Sequence, residues 1–179
     1  KIAAHATIPI IIGFIRKDND KIYNSAAICY EGKVQHSCDK ILLPTYDVFD
    51  EDRYFNSGEI PKVFSIPIQK KKIKVGLQIC EDLWDDNYPC KVSEVQKDLN
   101  AELIVNISAS PYHKSRFKKR KDQILKQIQK IDLPFLYCNM VGAQDELIFD
   151  GQSMAFSNNS HLVAFGRSFE EDLVIVNLN

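Results

Sequence analysis

Residues 73–140 restrict the fold more than any other part of the chain. Three short apolar runs, 73–79, 102–107 and 134–140, alternate with two segments of helical period. In 89–100, Val92, Val95 and Leu99 recur at spacings of three and four. In 115–130, Phe117, Ile124, Leu125 and Ile128 share one face, which Ile131 continues. Strand, helix, strand, helix, strand in this order predicts βαβ crossovers: a parallel sheet with helices on its outer face. Strands are also expected at 7–15, 22–30, 34–36, 63–68, 152–157, 162–165 and 173–176. Glu31-Gly32-Lys33 and Asn158-Asn159-Ser160 read as hairpin turns, and 69–72 as a basic turn. The hairpins at both ends predict antiparallel additions and hence a mixed sheet. Residues 38–61 have no period and carry six large apolar or aromatic side chains (Leu42, Leu43, Tyr46, Phe49, Tyr54, Phe55). A loop of that length and content in a compact domain is expected to be functional.

Composition excludes several classes. The 179 residues fit one domain, and 23 basic against 24 acidic side chains leave a net charge of −1. Nucleic acid is therefore not the expected partner, since it demands a basic excess. The six positive charges within 114–121 read as a solvated helix face. The longest apolar run, 8–12, falls far short of a membrane span. Five cysteines, an odd number with no CxxC pair, argue against a disulfide framework or a zinc ribbon and for a reducing, cytoplasmic compartment. His5, His36, His113 and His161 share no ligand spacing, so no metal is expected.

Three places can carry chemistry. Cys80 ends the apolar run 73–79 and precedes Glu81-Asp82-Leu83-Trp84. A nucleophile at a strand end faces the sheet edge where ligand sites of α/β proteins collect. Against this, free cysteine is among the most buried residue types, and Cys29, Cys38, Cys90 and Cys138 are read as structural. Lys40 opens the aromatic loop and is followed by three apolar residues and a proline, so its stem is expected to be buried, where a lysine can act as a base. Ser108 and Ser110 follow a buried strand as capping or ligand-binding hydroxyls.

Four strings then occur in order: KILLPTYDVFDEDRYF (40–55), GLQICEDLW (76–84), NISASPYHKSR (106–116) and YCNMVGAQDELIFDGQSMAF (137–156). Together they resemble the nitrilase superfamily, and within it the glutaminase (amidotransferase) domains of glutamine-dependent NAD⁺ synthetases. The resemblance implies an α-β-β-α sandwich of mixed sheets covered by helices. It implies a Glu-Lys-Cys triad in which Cys80 is the nucleophile and Lys40 the lysine. Tyr46, Glu51, Glu81, Trp84, Ser110 and Arg116 match positions around the glutamine pocket: Glu51 the second glutamate that positions lysine or substrate, Trp84 an aromatic closing the pocket, Ser110 and Arg116 the ends of the amino acid. The family's catalytic glutamate lies before the first strand seen here, and Glu31 sits in a hairpin turn. The fold is thus expected to be incomplete at its N-terminus and the chain to be the interior of a longer polypeptide. The family's synthetase domain, with its SGGxDS loop and its need for ATP and Mg, is not among these residues. No cofactor is implied for this domain. The implied partners are glutamine, the synthetase domain of the same polypeptide and further copies in a homo-oligomer. A free-standing amidase and a non-catalytic domain that keeps the fold remain the alternatives.

Overall fold

A computed structural model describes residues 1–68 and 71–177. The apolar runs form two sheets rather than one. β1 (Ile10–Asp18), β2 (Lys21–Tyr30) and β3 (Lys33–Asp39) make a three-stranded antiparallel sheet. The β2–β3 turn holds Glu31 and Gly32 both at positive φ (52° and 76°), the geometry that matches the twist of paired strands. The second sheet contains β4 (Val63–Ile68), β5 (Lys71–Ile79), β6 (Leu103–Ser108), β7 (Phe135–Asn139), and two later strands, Met154–Phe156 and Leu162–Phe165. β5, β6 and β7 are parallel, as the alternation of strands and helices requires. β4 flanks them antiparallel on an edge, where Pro67 deprives no inner ladder of a donor.

The period of two along each strand sorts the layers. Ala26, Ile28 and Cys38 of the first sheet meet Ile66, Val75, Leu77, Ile79 and Leu103 of the second. On the other side of the first sheet, Ala27 and Cys29 pack with Ala3 and Ala6, at and just beyond α1 (Ile2–His5). On the far side of the second sheet lie α2 (Val92–Asp98) and α3 (Arg116–Ile131). Ile124, Ile128 and Ile131 of α3 bury Ile104, Phe135, Tyr137, Met154 and Phe156. The result is the α-β-β-α order implied by the resemblance.

The helix face expected on α2 is rotated. Leu99 is 47% exposed, while Ser93 and Gln96 are fully buried. Gln78 of β5 donates to both, and Gln96 donates to the carbonyl of Leu77 (2.9 Å), so a polar seam docks this helix. The close approach requires Gly76: a Cβ there would lie 2.7 Å from Ile104 Cδ1 and 2.9 Å from Gln96 Cδ. The first strand begins at Ile10, after Pro9, rather than at 7. A hairpin not expected from sequence, β8 (Val141–Gln144) with β9 (Leu147–Asp150), is mostly solvated and so lacks an apolar alternation. The two strands after it are therefore β10 and β11. Residues 173–176 form no strand; Leu173 and Ile175 are 84% and 85% exposed, and their β-branched composition finds no pairing edge. Of the turn expected at 69–72, residues 69–70 lie outside the described residues, and 71–72 belong to β5. Among the described residues, no helix is long and apolar enough to cross a membrane.

Candidate active site

β5, β6 and β7 run parallel, so their C-terminal ends open on one edge, with Cys80, Ser108 and Asn139 at or next to them. Cys80 begins a 3-10 turn, Cys80–Leu83, with φ at 46°, a left-handed conformation unusual for a residue with a side chain. Such strain at a strand-to-helix turn recurs at functional sites. Beside it lies a cavity of about 420 Å³ lined by Phe49, Glu51, Cys80, Ser108 and Met140, among others.

Lys40 approaches from the other sheet. Arg16 binds the Asp39 carboxylate through two nitrogens (2.9 and 2.8 Å), securing the end of β3. The Lys40 backbone is then held on both sides, its N–H donating to Asn24 O and its carbonyl accepting from Gly58 N (both 2.8 Å). Gly58 has no room for a side chain, since a Cβ would lie 2.6 Å from Asp39 O. The Lys40 side chain is fully buried, and its Nζ reaches Glu51 Oε1 at 2.6 Å. Glu51 Oε2 is buried with no hydrogen-bond partner among the described residues. A buried carboxylate oxygen without a donor is rare, and this one belongs to a residue that lines the cavity.

Burial pushes the Cys80 thiol up, against the pull of the Lys40 ammonium and the Ser108 hydroxyl towards the thiolate; Glu81 and Glu51 add to the rise. Cys80 therefore rests as a thiol and needs a base. Ser108 Oγ donates to Asn106 Oδ1 (2.7 Å), and Asn106 Nδ2 points to the carbonyl of Cys80 (3.3 Å). Ser108→Ala is expected to move the pH midpoint of Cys80 alkylation by iodoacetamide upward, because the hydroxyl, free to rotate from Asn106 Oδ1 to the sulfur, favours the thiolate; an unchanged midpoint would show that the hydroxyl does not act on the sulfur.

A second group of residues surrounds Glu81. Its carboxylate accepts from the hydroxyls of Tyr46 (2.9 Å to each oxygen) and Tyr88 (3.1 Å). Burial raises its pKa, and the two hydroxyls oppose the rise. Tyr88 is steadied by Lys91, whose Nζ bonds the carbonyls of Asp85, Asp86 and Tyr88 (2.7, 2.9 and 2.8 Å). The Arg116 guanidinium lies 5.9 Å from the centre of the Trp84 ring, and its Nε is buried without a partner among the described residues.

The basic run 114–121 is not uniformly solvated, because Arg120 is fully buried. Its Nη1 lies 2.8 Å from Asp150 Oδ1, its Nη2 donates to Ser110 O (2.7 Å), and its Nε donates to Ser110 Oγ (3.2 Å). Asn139 accepts from the Ser110 backbone N–H at 2.9 Å. The turn after β6 is thus pinned from behind.

Of the residues singled out from sequence, Cys80 and Glu51 line the cavity and Lys40 joins it through Glu51. Tyr46 and Glu81 are hydrogen-bonded to each other, the Arg116 guanidinium lies over the Trp84 ring at 5.9 Å, and Ser110 is held by Arg120. Cys29 and Cys38 are buried, and burial pushes the Cys38 thiol up to about 12; Cys138, expected to be buried, is exposed on β7. Sequence reasoning missed Asp82, Tyr88, Asn106, Arg120 and Asp150. Asp82 lies two residues from Cys80 but has no pattern to mark it, and Arg120 was hidden in a charge run.

All 179 residues match the family described as carbon-nitrogen hydrolase. The chain belongs to that family. Within it, the chain is 40% identical over 182 residues to the glutamine-dependent NAD⁺ synthetase of Thermotoga maritima, a match that covers 100% of this chain and 30% of the relative. It is 43% identical over 159 residues to that of Aquifex aeolicus, covering 88% of this chain and 27% of the relative. The solved structure of the Acinetobacter baumannii glutamine-dependent NAD⁺ synthetase superposes with a TM-score of 0.85 at 34% identity, over 96% of this chain and 31% of that one. A carbon-nitrogen hydrolase from Helicobacter pylori shares the fold, with a TM-score of 0.80 at 21% identity over 95% of this chain and 62% of that one. This carbon-nitrogen hydrolase chain thus spans less than a third of the length of the synthetases it matches.

Proposed function

We propose that Cys80 hydrolyses the side-chain amide of glutamine and that the ammonia serves an ATP-dependent amidation forming NAD⁺, carried out by the part of the relatives that this chain does not span. The observation that carries the reading is a cysteine on a left-handed turn, sharing one cavity with a glutamate that locks a fully buried lysine. The thiol hands its proton to a carboxylate base, and the sulfur attacks the amide carbon. The tetrahedral oxyanion meets the Lys40 ammonium. The base returns the proton to nitrogen, ammonia leaves, and a thioester remains on Cys80. Water, deprotonated by the same base, then releases glutamate, so the sum is glutamine plus water to glutamate plus ammonia. By resemblance the base is a glutamate outside these 179 residues, and Glu51 fixes the lysine. ATP and Mg belong to the amidation and not to this step.

Substrate choice follows from charge. Glu81, held by two tyrosine hydroxyls, suits an α-ammonium, and Arg116, with a free buried Nε, suits an α-carboxylate that its fork can bind bidentately. An amidase acting on small uncharged amides would share Cys80 and Lys40 but would have no use for this pair. Incubating the full-length protein with a diazo-ketone analogue of glutamine tests the reading. One covalent adduct is expected, on Cys80, with protection by glutamine; no adduct there would overturn it.

A further inference from the structure

Lys40 and Cys80 leave different sheets, and something must set their spacing. The interface between the sheets is made of apolar side chains such as Ala26, Ile28, Val75 and Leu77. Apolar burial is non-directional and does not by itself fix a separation to a fraction of an ångström. Tyr46 ties a later part of the aromatic loop to Glu81; the directional link next to Lys40 and Cys80 themselves is Asp82. Its Oδ1 accepts from the backbone N–H groups of Ile41 (3.0 Å) and Leu42 (2.9 Å), the two residues after Lys40. Its Oδ2 accepts from the N–H of Ile79 (2.9 Å), the residue before Cys80. Among the described residues, no other hydrogen bond joins residues 40–42 to residues 79–83. The carboxylate is 2% exposed, so water cannot take over these donors. Its bond to Ile79 also closes the turn that holds Cys80 at positive φ.

We propose that Asp82 is a positioning residue for the chemistry at Cys80: its carboxylate sets the distance between the Lys40 ammonium and the Cys80 sulfur by clamping both backbones. Only the turnover arm of the test rests on the glutaminase reading; the alkylation arm needs no glutamine.

In Asp82→Asn one acceptor becomes an amide NH₂ that cannot accept from a backbone N–H. In the full-length protein, kcat for glutamine hydrolysis is expected to fall about a hundredfold, as for a reacting group displaced by an ångström, with KM little changed. The pH midpoint of Cys80 alkylation by iodoacetamide is expected to rise, because the ammonium no longer sits where it favours the thiolate. In a Lys40→Ala background the upward shift should vanish, leaving at most the small fall that loss of the Asp82 charge causes by itself, which a loss of stability alone would not produce. An unchanged kcat and midpoint in Asp82→Asn, or an equal shift with and without Lys40, would overturn the proposal. Should Asp82→Asn fail to fold, Asp82→Glu keeps the charge and the acceptors but lengthens the clamp by one methylene. It is expected to reproduce the midpoint shift, and wild-type behaviour in it would equally overturn the proposal. If wild-type Cys80 takes no diazo-ketone adduct, the glutaminase reading fails separately, since the alkylation comparison still reports on the clamp.

Discussion

Cys80→Ala is expected to lower glutamine-dependent activity of the full-length protein by at least about 10⁴-fold, the order seen when a covalent nucleophile is removed. Activity supplied with ammonium salts should survive. The physical reason is that alanine at position 80 removes the sulfur but disturbs little around it. Lys40 stays paired with Glu51, and Asp82 keeps its three backbone donors. The turn at positive φ is as tolerable for alanine as for cysteine, because both carry a single Cβ substituent on the backbone. Glutamine-dependent and ammonia-dependent rates, measured side by side on the purified variant, decide the matter. Equal loss of both would assign Cys80 a structural part and remove the nucleophile from the scheme.

Asp150→Ala should destabilise the protein by about 3–5 kcal/mol, the range for breaking a buried ion pair and leaving one charge without a partner. Arg120 and Asp150 are both buried, and the guanidinium already spends its other donors on Ser110 and Pro111 carbonyls and the Ser110 hydroxyl. With Asp150 gone, no other carboxylate pairs with Arg120 among the described residues. The double variant Arg120→Met/Asp150→Ala should recover much of the loss, since no buried charge then remains. Urea denaturation of wild type, single and double variants measures both effects. A single-variant loss below about 1 kcal/mol, the level of an exposed pair, would refute the assignment. Because Ser108 and Ala109 line the cavity one step from the pinned Ser110, the single variant should also lose diazo-ketone labelling at Cys80 before it unfolds globally.

The middle of the fold was legible because burial there obeys simple periods. Strands with apolar residues on both faces alternate with α3, whose Ile124, Ile128 and Ile131 point one way, and that order admits little besides parallel crossovers. What escaped were elements whose burial runs against polarity. Ser93 and Gln96 face inward on α2 because Gln78 awaits them, and a periodicity of apolar residues cannot register a buried amide seam. The β8–β9 hairpin escaped for another reason: β8 is largely exposed, and on β9 the buried residues are the adjacent pair Phe149 and Asp150, one apolar and one charged, which makes no alternation. Residues 173–176 have strand composition but no partner edge, and strand formation depends on a neighbour more than on propensity.

The same division runs through the site. By itself the sequence determined the chemical types and their order: a lysine opening an aromatic loop, a cysteine closing an apolar strand, and a segment of serines leading into a basic helix. Those are local properties of the chain and of its resemblance to a family. Only the tertiary structure decided which of them meet. Lys40 and Cys80 lie on separate sheets, so their proximity depends on the stacking of the sandwich. The hold of Asp82 on Ile41, the pairing of Lys40 with Glu51 and that of Arg120 with Asp150 join residues 11 to 41 positions apart in the chain. Hydrogen bonds across such separations leave no periodic trace in a sequence, because each is a meeting of two single residues rather than a repeated pattern.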